Sequence, residues 1–167
     1  MLRAEEVEQE SLRELLGRLG LIASRVPAGE PIPGSYWGES EAGLRLDTLY
    51  YRADTPLHSI LHEACHYACM SPSQRRQLDT DAGGDDLEEC AVCYLQVLCA
   101  EALPQLGAAR MLADMDAWGY SFRLGSARRW FHEDADDARL WLEREGLIDS
   151  EQRPTWRLRG GRCGGDT

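Results

Sequence analysis

The stretch His62-Glu63-Ala64-Cys65-His66 sets two imidazoles four residues apart, with a carboxylate directly after the first. On a helix, residues i and i+4 are neighbours with Cβ atoms about 5 to 6 Å apart, so both rings can close on one metal ion. Glu63 lies about 100° round the helix from His62. It flanks such an ion instead of binding it, where a carboxylate can take a proton from metal-activated water. His58 continues the spacing one turn earlier. Two turns separate it from His66, so it cannot share the ion and reads as a residue behind the ligands or at the entrance, or as a partly exposed helix position. Ile60, Ala64, Cys65, Tyr67 and Ala68 are uncharged, as a buried active-site helix requires.

Two histidines leave a catalytic site one protein ligand short, and zinc sites of this type take a glutamate. The candidate lies in Asp85-Asp86-Leu87-Glu88-Glu89. If residues 86–103 are helical, Leu87, Ala91, Tyr94, Leu95 and Leu98 line one face, and Glu88 borders it beside Val92 and Leu95. Glu89 points instead toward Gln96, at the polar pole. A carboxylate at an apolar border needs a partner, and a metal would supply one, so Glu88 is the expected third ligand and Glu89 the alternative. Both could also serve, with Asp85 and Asp86, only as acidic residues favoured at a helix N-terminus. Tyr120 and His132 are candidates for a hydrogen bond to the oxyanion that forms when water attacks a carbonyl. Alternatively, Tyr120 joins Trp118 and Phe122 in an aromatic cluster and His132 caps the last helix. Cys90-x-x-Cys93 resembles half a metal knuckle or a redox pair, yet on a helix such cysteines are more often small core residues.

The elements that must position these groups are mostly helices around a short sheet. Residues 5–19 carry Val7, Leu12, Leu15, Leu16 and Leu19 near helical spacing, with Gly20 where a C-cap would sit. Prolines and glycines break the chain over 27–38. A hairpin-like stretch follows, in which Leu44, Leu46, Leu49, Tyr50 and Tyr51 suggest a strand ending near Arg52 with imperfect alternation, so the class is α+β. Thr55 and Pro56 suit the cap and first position of the histidine helix, which should end by Ser71-Pro72. A polar connection spans 73–85. Helices then follow over about 86–103, 105–117 and 134–145. Residues 1–150 read as a single domain, and the Gly- and Arg-rich residues 151–167 as a mobile tail.

Composition narrows the setting. A chain of 167 residues can bury a core without disulfides or metal as its only staple. No apolar run approaches a membrane span, and the acidic N-terminal decapeptide is unlike a signal or transit peptide, so a cytoplasmic address is expected. The six cysteines then read as thiols. A net charge of −11 opposes nonspecific binding to nucleic acid or anionic lipid. All 18 basic residues are arginine, a bias that reads as the codon signature of a GC-rich genome.

With these residues in view, the chain resembles the zincin superfamily, specifically its gluzincin type, in which a His-Glu-x-x-His helix is completed by glutamate from a later helix. The likeness covers about residues 40–103. It implies a mainly helical α+β domain with a small mixed sheet next to the histidine helix, His62, His66 and Glu88 as ligands of zinc, and Glu63 as general base. A peptide or protein would be the substrate. The runs His62-Glu63-Ala64-Cys65-His66-Tyr67-Ala68-Cys69 and Asp85 to Cys99 are also similar to the bacterial elongation factor P hydroxylase family. That likeness implies iron(II) in the same ligand set and hydroxylation of a protein side chain. A metal-binding protein without turnover is the third expectation, since fold does not establish function.

Overall fold

Local chemistry sets most of the element boundaries. The computed structural model describes residues 1–35, 40–77 and 85–161. After a 3₁₀ turn at Ala4–Glu6, α1 (Gln9–Arg18) buries Leu12, Leu15 and Leu16. The chain then turns through Gly20, at φ 77°, into β1 (Ile22–Arg25). Strands β2 (Gly43–Arg45) and β3 (Thr48–Tyr51) form a hairpin whose turn places Leu46 exposed at φ 52°. The hairpin-like stretch expected over 44–51 is thus a pair of antiparallel strands, and the alternation breaks at Leu46, in the turn between them. The sheet order is β1-β3-β2, with β1 parallel to β3 from Ile22↔Thr48 to Arg25↔Tyr51, and β2 antiparallel to it.

Helix α2 (Leu57–Cys69) is the centre of the molecule. Pro56 precedes it, and Thr55 does not cap it: the Thr55 hydroxyl accepts from the Arg52 backbone N–H at 2.8 Å. The Leu57 N–H finds the Leu2 carbonyl instead, at 2.9 Å. The Ser59 hydroxyl accepts from the Ala42 N–H at 2.9 Å, tying the approach to β2 onto α2. That approach is tight, since a Cβ on Gly43 would lie 2.1 Å from the Pro33 carbonyl oxygen.

The remaining helices are α3 (Pro72–Gln77), α4 (Asp86–Ala100), α5 (Gly107–Trp118), α6 (Ala127–Glu133) and α7 (Asp136–Arg144). Sequence periodicity misses β1, α3 and α6, which are too short to show it. Asp85 caps α4 by accepting from the Glu88 N–H at 2.8 Å, and Ser126 caps α6 through the Arg129 N–H at 3.1 Å. Helix α2 packs chiefly on α4, and also on α5, β2 and β3. Its seam with α4 brings Cys65 to Cys99, and Ala64, Ala68 and Ala91 are, like both thiols, fully buried. The Cys65 and Cys99 thiols hydrogen-bond across it. Small side chains on both helices bring the axes close, which is what lets side chains of α2 and α4 share one centre.

The first part of the expected mobile tail is packed. Thr155 N–H bonds the Leu147 carbonyl at 3.0 Å, the Arg18 guanidinium stacks on Trp156 at 3.8 Å, and Leu158 lies against the core. Residues 162–167, with Cys163, lie outside the described residues. No helix among the described residues is long and apolar enough to cross a membrane.

Candidate metal centre

Eleven of the thirteen residues of α2 are buried, and the two that keep intermediate exposure are His62 and Glu63. The helix therefore reaches solvent at the turn that carries the motif. His62 and His66 lie edge to face, ring centroids 4.7 Å apart. Their Nε2 atoms meet one carboxylate: His62 Nε2 is 3.0 Å from Glu89 Oε1, and His66 Nε2 is 2.9 Å from Glu89 Oε2. The three ligand atoms lie within 4.8 Å of one another. Among the described residues no other set of three His, Cys, Asp or Glu side chains converges in this way.

The third partner is thus Glu89, and the expectation of Glu88 is corrected. Glu88 turns to the other side, where its carboxylate accepts from Arg159 at 2.7 Å. Helical periodicity does not separate Glu88 from Glu89, because α4 is not amphipathic past its first turn. From Ala91 to Val97 every residue is buried, Gln96 completely. The supposed polar pole is the face turned to α2. Glu89, Cys93 and Gln96, at i, i+4 and i+7, form a polar stripe on that face, opposite the stripe of His58, His62 and His66 on α2. Two polar stripes at helical spacing in otherwise apolar helices are the signal that could have found both Glu89 and Gln96.

Gln96, expected at a polar pole, orients the first histidine. Its Nε2 donates to the His58 carbonyl at 2.8 Å. A carbonyl only accepts, so the amide must present its NH₂ there and its Oε1 to His62 Nδ1, 2.9 Å away. His62 therefore donates from Nδ1, and its Nε2 lone pair faces Glu89. A lone pair and a carboxylate at this distance repel unless a cation lies between them, either a proton or a metal ion. With ligand bonds of about 2.1 Å, tetrahedral donors sit roughly 3.4 Å apart, so the carboxylate need retreat only about 0.5 Å to admit zinc. The residues present fit such an ion, and the outer hydrogen bond on His62 is the kind that fixes ring and tautomer for a metal.

The electrostatics agree. Burial disfavours charge on Glu89, but hydrogen bonds from His62 and His66 outweigh it and hold the carboxyl well below the usual carboxylate range. Burial also disfavours charging His62, yet the surrounding groups of Tyr120, Cys93 and Glu89 raise its pKa well above the ordinary histidine value.

His58 is buried at 1% exposure, not partly exposed as expected. Its burial, and then the neighbouring His62, push its pKa down to about 4, so it is neutral at pH 7. Its Nδ1 is 3.1 Å from the Tyr120 hydroxyl, which also lies 3.4 Å from Gln96 Nε2. Burial pushes the Tyr120 hydroxyl up to about 12 and keeps it protonated. That hydroxyl is engaged on the Nδ1 side of His62, so its contacts buttress the histidine instead of presenting it as an oxyanion donor. The ring edges His62 at 5.5 Å, and Glu63 is near enough to raise the Tyr120 pKa further. The Tyr120–Phe122 stack of the expected aromatic cluster is present, with centroids 6.4 Å apart. His132, exposed in the last turn of α6 with its ring against Phe131, is not among the residues that gather at the histidine pair. Cys90 and Cys93 are free thiols, and Cys93 lies near enough to His62 to raise its pKa.

No family model, curated protein or solved structure matches the chain.

Proposed function

We propose that the protein is a metal-dependent hydrolase of the gluzincin type, with His62, His66 and Glu89 as zinc ligands and a peptide or protein as substrate. One observation carries this reading: two imidazole Nε2 atoms and a carboxylate converge within 3.0 Å at the turn where buried α2 meets solvent. Glu63 occupies the same turn. A zinc ion held there would polarise a substrate carbonyl and acidify a water molecule. Glu63 takes the proton of that water and returns it to the leaving amine. Gln96 holds His62 in the tautomer that leaves Nε2 free, and Tyr120 and His58 hold Gln96. The Glu89 side chain is 48% exposed, so the centre has an open side from which a polypeptide can approach.

The test is Glu63→Gln. The variant should keep its metal and fold while losing about 10² to 10⁴ in cleavage rate, as removal of a general base does. Loss of metal together with activity would make Glu63 a ligand and not a base. Two histidines and a carboxylate also suit iron(II), and the same residues then support a protein hydroxylase. Zinc-loaded protein that cleaves none of a panel of unfolded proteins, while anaerobically iron-loaded protein adds one oxygen atom to a protein partner, would replace the first reading with the second.

A further inference from the structure

We propose that the segment 155–161 is a latch that sets the geometry of the metal centre, with Arg159 as its positioning residue; this rests on the metal-centre reading above. The last carbonyls of any helix lack intrahelical partners, and α2 ends three residues after His66. Its terminal carbonyls are satisfied from the C-terminal segment and from Arg75. The Arg159 backbone N–H bonds the Ala68 carbonyl at 2.8 Å, and its Nη1 donates to the Cys69 carbonyl at 3.3 Å. Arg75 donates to the carbonyls of Tyr67 and Met70, and its Nη2 to the Arg159 carbonyl at 2.8 Å. Two guanidinium groups thus sit at the negative end of the histidine helix, where cations are favoured.

The same Nη1 of Arg159 reaches Glu88 Oε1 at 2.7 Å. Its Nε lies 3.6 Å from Glu145, and its guanidinium lies over Trp141 at 5.0 Å, which anchors it to α7. One side chain therefore ties a point three residues beyond His66 to the residue before Glu89. The first turn of α4 needs such a tie. Continuous burial begins only at Ala91; before it, Leu87 and Cys90 pack in part and Asp85 caps the turn from within the same segment. The Arg159–Glu88 pair is partly buried, at 26% and 16% side-chain exposure, so solvent screens it less than a surface pair. It holds Glu88 away from the histidines and so rotates Glu89 toward them. Gly160 completes the latch: at φ 65°, a Cβ there would meet Pro72 Cδ at 3.0 Å.

The experiment is zinc affinity by competition with a chromophoric chelator, and the cobalt(II) absorption spectrum, on full-length protein well below its melting temperature. Arg159→Ala should weaken zinc about tenfold to hundredfold, the range for losing an outer support of a ligand, and alter the cobalt spectrum. Arg159→Lys should recover part of the affinity, because an ammonium can reach Glu88 but cannot serve the carbonyl as well. Arg153→Ala, which removes only pairs to Asp149 and Glu151, should bind like the native protein. Should Arg159→Ala not fold, Glu88→Gln carries the test, since it breaks one arm and leaves the carbonyl bonds; a loss of several-fold is expected. Native affinity and spectrum in a folded Arg159→Ala or Glu88→Gln protein, even with a lowered melting temperature, would overturn the latch. Native protein that binds no metal would overturn the metal-centre reading itself.

Discussion

Gln96→Leu separates a structural glutamine from one that prepares a metal ligand. Gln96 is completely buried, so its replacement meets no water. Leucine fills most of the volume but removes the acceptor of His62 Nδ1 and the donor to the His58 carbonyl, bonds of 2.9 and 2.8 Å. Each buried group left unpaired costs about 1 to 3 kcal/mol. Only His62 Nδ1 is left without a partner, because the His58 carbonyl lies inside α2 and keeps its intrahelical donor, and the loss is partly offset because the amide's own desolvation disappears. A net loss of roughly 1 to 2 kcal/mol is expected, enough to lower the melting temperature by a few degrees in a domain of this size. The metal term is separate. A released His62 ring can rotate or take the other tautomer, and outer hydrogen bonds of this kind are worth about tenfold to hundredfold in metal affinity. Gln96→Glu keeps an acceptor for Nδ1 and strengthens it, but sets a carboxylate oxygen against the His58 carbonyl. It should therefore lose stability while holding zinc as well as the native protein. The assays are thermal unfolding in chelator and zinc competition on folded protein. If Gln96→Leu were destabilised as calculated yet bound zinc with native affinity, the orienting role of Gln96 would be refuted.

Three further outcomes follow from the same geometry. Glu89→Gln should lower zinc affinity far more than Glu88→Gln, and equal losses in elemental analysis and chelator competition would remove Glu89 as the ligand. Because the His62 pKa is raised, zinc binding near neutral pH should displace more proton than it would from an ordinary histidine. Calorimetry at about pH 7.5 in buffers of different ionisation enthalpy should register clearly more than the roughly one tenth of a proton that a histidine near 6.5 would release, and a release no larger than that would contradict the raised value. In the metal-free state the raised His62 contributes stability below about pH 6.5 that is lost as pH climbs through its folded pKa, whereas the depressed Glu89 contributes above about pH 4.5 and is lost on acidification. The thiols should divide by burial: Cys65, Cys69 and Cys99 are 0 to 1% exposed, with the Cys65 and Cys69 thiols pushed up by burial, while Cys90 is partly exposed. Native-state alkylation read by mass spectrometry should modify Cys90 well before those three, and rapid labelling of Cys65 would contradict the packed seam between α2 and α4.

The chain by itself determined what depends on near neighbours. His62 and His66 face the same way because the helix repeats every 3.6 residues, and that much is visible in their spacing. The helical character of α1, α2, α4, α5 and α7 was legible in the same terms, as was the place where the histidine helix stops. What tertiary structure decided is the rotation of α4 and the fate of the C-terminal segment. A helix buried on nearly every side offers no apolar stripe from which to read its orientation, so the choice between Glu88 and Glu89 was set by what each one meets. Glu89 meets the two imidazoles, and Glu88 meets an arginine 71 residues further along. Gln96 looked like a solvent-facing residue until α2 covered it, and Arg159 looked like part of a mobile tail until the open carbonyls of α2 gave it partners. Each is a polar group whose position is fixed by a desolvated counterpart distant in sequence. The energy of burying it unpaired selects one packing among those that local periodicity allows.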